Sequence, residues 1–178
     1  MSVFTNPAGA AAEHGTAYTR AILDLLGNRD PMTVLRETPS ALSRAVDGLS
    51  PEQIRSPEAP GKWSILQVLM HLADSEIVHA WRMRLVLAQD RPPLTGYDQD
   101  RWAEHLRYAE EDPSDAIALF MVLRKANLRL LERASPAELK RVGVHVERGD
   151  ESVEHIRRLY AGHDLLHLRQ IDRIKQSV

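Results

Sequence analysis

Apolar residues recur at helical spacing through most of this chain, and alternating β patterns are nearly absent. Tyr18, Ile22, Leu25 and Leu26 predict a helix over residues 13–27, which Gly27-Asn28 stops. Asp30-Pro31 reads as an N-cap followed by proline at the first helical position. The helix that follows covers 32–49, and Pro39 should break or kink it. Pro51, Pro57 and Pro60 make residues 50–62 a loop. Ser64 and Gln67 form a capping box, so a long helix starts there and runs to about Gln89, on the order of 39 Å. Pro92-Pro93 ends it, and a short helix is expected over 98–110. Asp112-Pro113 repeats the cap-plus-proline signal and opens a helix to about Ala134. Residues 135–151 form a second long connection, in which Val142 to Val146 suit a short strand. The last helix covers 152–175.

Four long amphipathic segments with two long connections predict an all-α four-helix bundle. Crossovers of that length need not join antiparallel neighbours, so a simple up-down-up-down order does not follow. Residues 1–12, rich in Ala and Gly, read as a flexible N-terminus, and 13–178 as one domain.

Composition narrows the chemistry. The 178 residues carry a formal net charge of −2, which favours neither a nucleic-acid surface nor an acidic tail. The chain has no cysteine, so disulfides, thiolate metal sites and Cys nucleophiles are excluded. Any transition-metal site must be built from His and carboxylate. There is no apolar run of membrane-spanning length and no secretory signal, so a cytoplasmic protein with no membrane or nucleic-acid partner is expected.

Histidines supply the one departure from ordinary patterning. The inward stripe of the last helix reads Val153, Ile156, Tyr160, His163, His167, Ile171, Ile174. Two imidazoles thus occupy core positions one turn apart, about 6 Å along the axis. Either they are hydrogen-bonded core residues or they share a ligand, since an unmade buried hydrogen bond costs roughly 1–3 kcal/mol. His71 lies on the inward face of the 65–89 helix with Val68, Ser75 and Val78. Alone it would read as a core histidine; with the other two it completes a three-His set with open coordination positions, suited to Zn, Ni, Fe or Cu.

Nearby residues have supporting parts. Asp74, three after His71, and Asp164, beside His163, are candidates to receive the free ring N–H of a ligand histidine; both also suit an ordinary helix surface. Glu76 is rotated away and ranks lower. Tyr160 is a pocket candidate or simply core. Arg82, on nearly the face of His71, is a pocket candidate for an anionic substrate group, or else a snorkelling or salt-bridged Arg. His79 is rotated about 80° from His71, which favours a flanking or surface position. His14, His105, His145 and His155 rank lower, His145 being the hardest of them to set aside.

Pro60-Gly61-Lys62-Trp63-Ser64, His71-Leu-Ala-Asp74-Ser-Glu76 and Gly162-His163-Asp164 through His167-Leu-Arg-Gln170-Ile171 together resemble the DinB-like superfamily. The branch resembled contains metal-dependent hydrolases and bacillithiol S-transferases, and the resemblance covers the chain from about residue 14 to its end. It implies a four-helix bundle of up-down-down-up connectivity. It also implies a divalent metal, Zn or Ni first and Mn or Fe after, on His71, His163 and His167, with water completing the site. Leu166 stands where such motifs often carry a further His. A homodimer is implied, and a small-molecule substrate, with a low-molecular-weight thiol as one option. Hydrolysis and thiol transfer both follow from such a site. The rival is a non-catalytic bundle, metal-stabilised or serving as a dimeric stress-related interaction protein.

Overall fold

The computed structural model describes residues 11–177, with side chains from Ala17 onward. The expectation for residues 1–12 falls almost wholly outside that range, as does the side chain of His14. The helices are α1 (Ala11–Leu26), α2 (Pro31–Val46), α3 (Pro51–Arg55), α4 (Ile65–Ala88), α5 (Gln99–His105), α6 (Pro113–Arg133), α7 (Pro136–Leu139) and α8 (Val153–Lys175). Caps stand where the sequence placed them. The Asp30 carboxylate accepts from Thr33 N at 2.8 Å, and Ser64 and Gln67 exchange both bonds of their capping box.

The bundle consists of α2, α4, α6 and α8, with α4 and α2 each packed against both α6 and α8. Two apolar clusters give the helix directions. One gathers Met32 and Leu35 from the start of α2, Met83 and Val86 from the end of α4, Leu131 from the end of α6, and Val153 and Ile156 from the start of α8. The other gathers Leu42, Ile65, Phe120 and Ile174 from the opposite ends of the same helices. Helices α2 and α8 therefore run one way and α4 and α6 the other, which in chain order is up-down-down-up. Because α4 and α6 are parallel neighbours, the chain between them must return along the bundle, and this is why the connection is long.

That connection carries β1 (Pro93–Leu94), α5 and a 3₁₀ turn, Tyr108–Glu110. The single helix expected over 98–110 is thus split, where Arg107 adopts a left-handed backbone. The later connection holds α7, β2 (Val142–His145) and β3 (Gly149–Ser152). Strand β2 pairs parallel with β1 and antiparallel with β3, forming a small sheet at the end of α4. Residues 50–62 are likewise not all loop, because Ser50 caps the short helix α3.

Pro39 neither breaks nor stops α2, which continues to Val46. Proline removes the N–H that would bond the carbonyl four residues earlier, that of Leu35. Here the Leu35 carbonyl accepts from Arg124 Nη1 at 2.8 Å, so the helix stays satisfied through a side chain from α6.

Between the two apolar clusters lies a buried polar layer. Arg124 donates through Nη1 and Nη2 to both oxygens of Asp164, at 2.7 and 3.0 Å, and through Nε to Glu76 at 2.6 Å. Asn127 donates to the second Glu76 oxygen at 2.8 Å. The guanidinium carbon stands 4.6 Å from the ring centres of both Phe120 and Tyr160. Helix α1 lies outside the ring of four, packed on α8 across Gly162. A Cβ at Gly162 would come within 2.4 Å of the Ile22 carbonyl oxygen, so only glycine admits this approach beside His163.

Candidate metal centre

His71 projects from the second turn of α4, and His163 and His167 from one face of α8, one turn apart. The antiparallel packing of α4 on α8 brings the three rings together. His163 Nε2 stands 3.0 Å from His71 Nε2 and 3.1 Å from His167 Nε2. One ligand atom from each lies within 4.8 Å of the others, and all three side chains are buried. No other such cluster of His and carboxylate occurs among the described residues.

Electrostatics keep these rings neutral. Burial, then the neighbouring imidazoles, holds His71 and His163 well below the usual histidine value. Burial brings His167 down to about 4, against an upward pull from Gln170. His167 Nδ1 donates to the side-chain amide oxygen of Gln170 (Oε1) at 2.7 Å, which leaves the Nε2 lone pair turned toward the other two rings. The donor set is one that could hold a metal ion: neutral imidazoles, one with its tautomer fixed, converging through Nε2.

The supporting carboxylates proposed from sequence do other work. Asp74 accepts a hydrogen bond from the Tyr108 hydroxyl of the 3₁₀ turn. Asp164 is held by Arg124 through both oxygens. Neither reaches a histidine, and Nδ1 of His71 and of His163 has no hydrogen-bond partner among the described residues. The reason is geometric: each carboxylate points around its helix toward a different neighbour, α6 for Asp164 and the 3₁₀ turn for Asp74. Glu76, ranked low, is fully buried and belongs with Asp164 to the Arg124 network.

Tyr160 is inward, as its spacing implied, and stacks on His79 at 3.9 Å between ring centres. His79 is not a surface residue but a half-buried one, its Nδ1 donating to the Ser75 carbonyl at 2.7 Å and its ring centre 6.0 Å from that of His163. Burial depresses it to about 3. His145 is buried on β2, with its Nδ1 accepting from Glu147 N at 3.2 Å. Arg82 is buried beside it, and its Nη2 donates to the Thr95 carbonyl.

Two cavities meet at the histidines. The larger, about 510 Å³, reaches His167 between α1, α8 and the segment before α4, walled by Ile22, Leu25, Trp63 and Leu166 with Lys62 and Arg169 alongside. The smaller, about 90 Å³, reaches His71 and His163 and is lined by Tyr18, His79, Arg82 and Tyr97. Trp63 stands 5.1 Å, ring to ring, from His71.

Trp63 and Gln170 stand in the motifs that carry the family resemblance, but neither they nor Tyr97 were expected at the histidine cluster. Gln170 was within reach, since a residue three after His167 shares its face. Tyr97 comes from a connection whose path no local pattern specifies; its hydroxyl meets Ser75 Oγ at 3.0 Å.

An up-down-down-up helical bundle with three converging imidazoles at its centre defines a class of candidate metalloproteins. The chain belongs to the DinB superfamily, whose family model matches residues 35–171. It is 30% identical over 146 residues to the Bacillus subtilis protein named "Putative metal-dependent hydrolase YfiT", covering 82% of each chain. A protein of Oceanobacillus iheyensis, "Putative metal-dependent hydrolase OB0782", is 31% identical over 138 residues, 77% of this chain and 79% of that one. The solved structure of YfiT, described as a "probable metal-dependent hydrolase with an unusual four-helix bundle topology", matches with a TM-score of 0.77 at 29% identity. The match covers 82% of this chain and 84% of that one. No helix among the described residues is long and apolar enough to cross a membrane.

Proposed function

We propose that His71, His163 and His167 hold one divalent metal ion through their Nε2 atoms, and that the protein is a metal-dependent hydrolase of a small molecule. The observation that carries this reading is the convergence of three buried, neutral Nε2 atoms. Without a cation, three inward lone pairs repel unless ring protons turn inward between the rings; Nδ1 of His71 and of His163 is without a partner among the described residues in either tautomer. Zn and Ni head the candidates, with Mn and Fe after them, because several ions accept three imidazoles. When bound, such an ion supplies Lewis acidity and brings the pKa of a coordinated water or thiol toward neutrality.

The chain's own residues supply the rest. Gln170 fixes the tautomer of His167. Trp63, Ile22 and Leu25 give the larger cavity an apolar wall. The layer of Glu76, Arg124 and Asp164 anchors α4, α6 and α8 to one another beside the histidines.

Transfer of a low-molecular-weight thiol is a second reading, supported by the meeting of two cavities at the site, which gives two reactants different sides from which to reach it. With no cysteine in the chain, the thiol would enter as a cosubstrate.

Elemental analysis of the purified protein tests the metal centre. One divalent ion per chain is expected, lost in His163→Ala. A wild type without bound metal, or unchanged metal content in the variant, would overturn it. Metal-dependent turnover of small ester, amide or thiol-acceptor substrates then separates the enzyme from a bundle that the ion merely stabilises.

A further inference from the structure

Arg82 carries its charge where water barely reaches: it is 7% exposed. Its Nη2 donates to the Thr95 carbonyl at 2.5 Å and stands 3.4 Å from Nε2 of His145, which carries that ring's proton because Nδ1 accepts from Glu147 N. Its Nε has no hydrogen-bond partner among the described residues. No carboxylate among those residues forms an ion pair with it. Glu151, the nearby acid, gives both oxygens to Arg148, at 2.6 and 3.0 Å. Glu147 lines the same cavity without pairing to Arg82.

Arg124 shows how this fold compensates a buried guanidinium, because two carboxylates surround it. Burying an ionised group without a counter-charge is strongly unfavourable. Arg82 has no such pair at the wall of the small cavity whose other side is His71 and His163; Glu151 and Glu147 act on it only at a distance, against burial and the neighbouring Arg148. A space of about 90 Å³ suits a carboxylate or phosphate group, not a whole substrate. The larger cavity, on the His167 side, has the room and the apolar walls for the remainder.

We propose that the small cavity is an oxyanion subsite, in which Arg82 receives a carboxylate or phosphate group of the substrate beside the Tyr97 hydroxyl. The substrate class is then an anionic small molecule with an apolar body, its two ends lying on opposite sides of the three histidines. The substrate assignment rests on the metal-centre reading; the subsite itself stands on Arg82 and is testable in metal-free protein.

Thermal unfolding of chelator-stripped protein, with phosphate or acetate replacing chloride at constant ionic strength, is the test. A saturable rise in Tm is expected for at least one anion, and the one that works says which group the subsite takes. The rise is lost in Arg82→Gln and retained in His163→Ala, while metal content shows the reverse, unchanged in Arg82→Gln and lost in His163→Ala. Failure of the subsite and failure of the metal centre are thereby separated. Arg82 also holds the Thr95 carbonyl, so Thr19→Glu provides a variant that keeps the arginine. Thr19 lines the same cavity from α1, and a carboxylate there should raise Tm in chloride and abolish the response to added anion. Absence of a saturable rise in the wild type overturns the subsite, as does an undiminished rise in folded Arg82→Gln or in Thr19→Glu.

Discussion

Single residues decide whether three histidines become a site. Gln170 accepts from His167 Nδ1 and so presents the opposite nitrogen inward. Removing such a partner typically costs about 10–100-fold in metal affinity. Gln170→Ala should therefore weaken binding by that order in competition with a chromogenic chelator, and unchanged affinity would remove Gln170 from the site. Arg124 acts differently, as the shared counter-charge of Glu76 and Asp164. Arg124→Met leaves two carboxylates buried without a cation, and breaking a buried pair costs about 3–5 kcal/mol. Urea unfolding should show a loss of that order; a change within experimental error would mean that the network contributes nothing to stability.

Elements bring these residues together through packing that local sequence only permits. Helix α1 is not one of the four bundle helices, yet it closes both cavities against the histidines through Ile22. Its seat is Gly162, where an added Cβ would meet the Ile22 carbonyl at 2.4 Å. Gly162→Ala should displace α1 and lower stability by about 1–3 kcal/mol, the usual range for overpacking. Limited proteolysis would report it as faster cleavage within residues 11–26, and unchanged protection would show that α1 is not held there. Helix α2 gives the converse case, in which Pro39 frees the Leu35 carbonyl and α6 supplies Arg124 to fill it.

The whole molecule responds to pH through its buried imidazoles. His71 and His163 lie well below 6.5 in the fold, His167 and His145 near 4 and His79 near 3. Above about 6.5 the histidines are neutral in both folded and unfolded chains, and their contribution to stability is complete. Below it the unfolded chain takes up protons that the fold refuses, so stability falls as pH drops from 6.5 toward 4. Each affected histidine should cost on the order of 1 kcal/mol per pH unit. Metal-free protein should accordingly lose Tm steeply between pH 6.5 and 4.5, and His163→Ala should flatten that slope. A Tm independent of pH over this interval would show that the rings are not held neutral.

Much of this was readable along the chain. Proline, glycine and the capping residues mark where the long helices begin or end, because those signals act over one turn. The inward positions of His71, His163 and His167 followed from helical period, for the same local reason. Partner choice did not follow. Asp164 and Asp74 sit beside or one turn from the clustered histidines in sequence, yet the first pairs with α6 and the second with the 3₁₀ turn. The helix that Pro39 was expected to interrupt survives because of an arginine that follows it by 85 positions. His79, His145 and Arg82 acquired their burial from connections whose paths carry no periodic signal. Local backbone chemistry thus determined the helices and the faces they present. Which face met which, and therefore which charge was compensated and which was left at a cavity, was decided only by how the helices and their long crossovers packed.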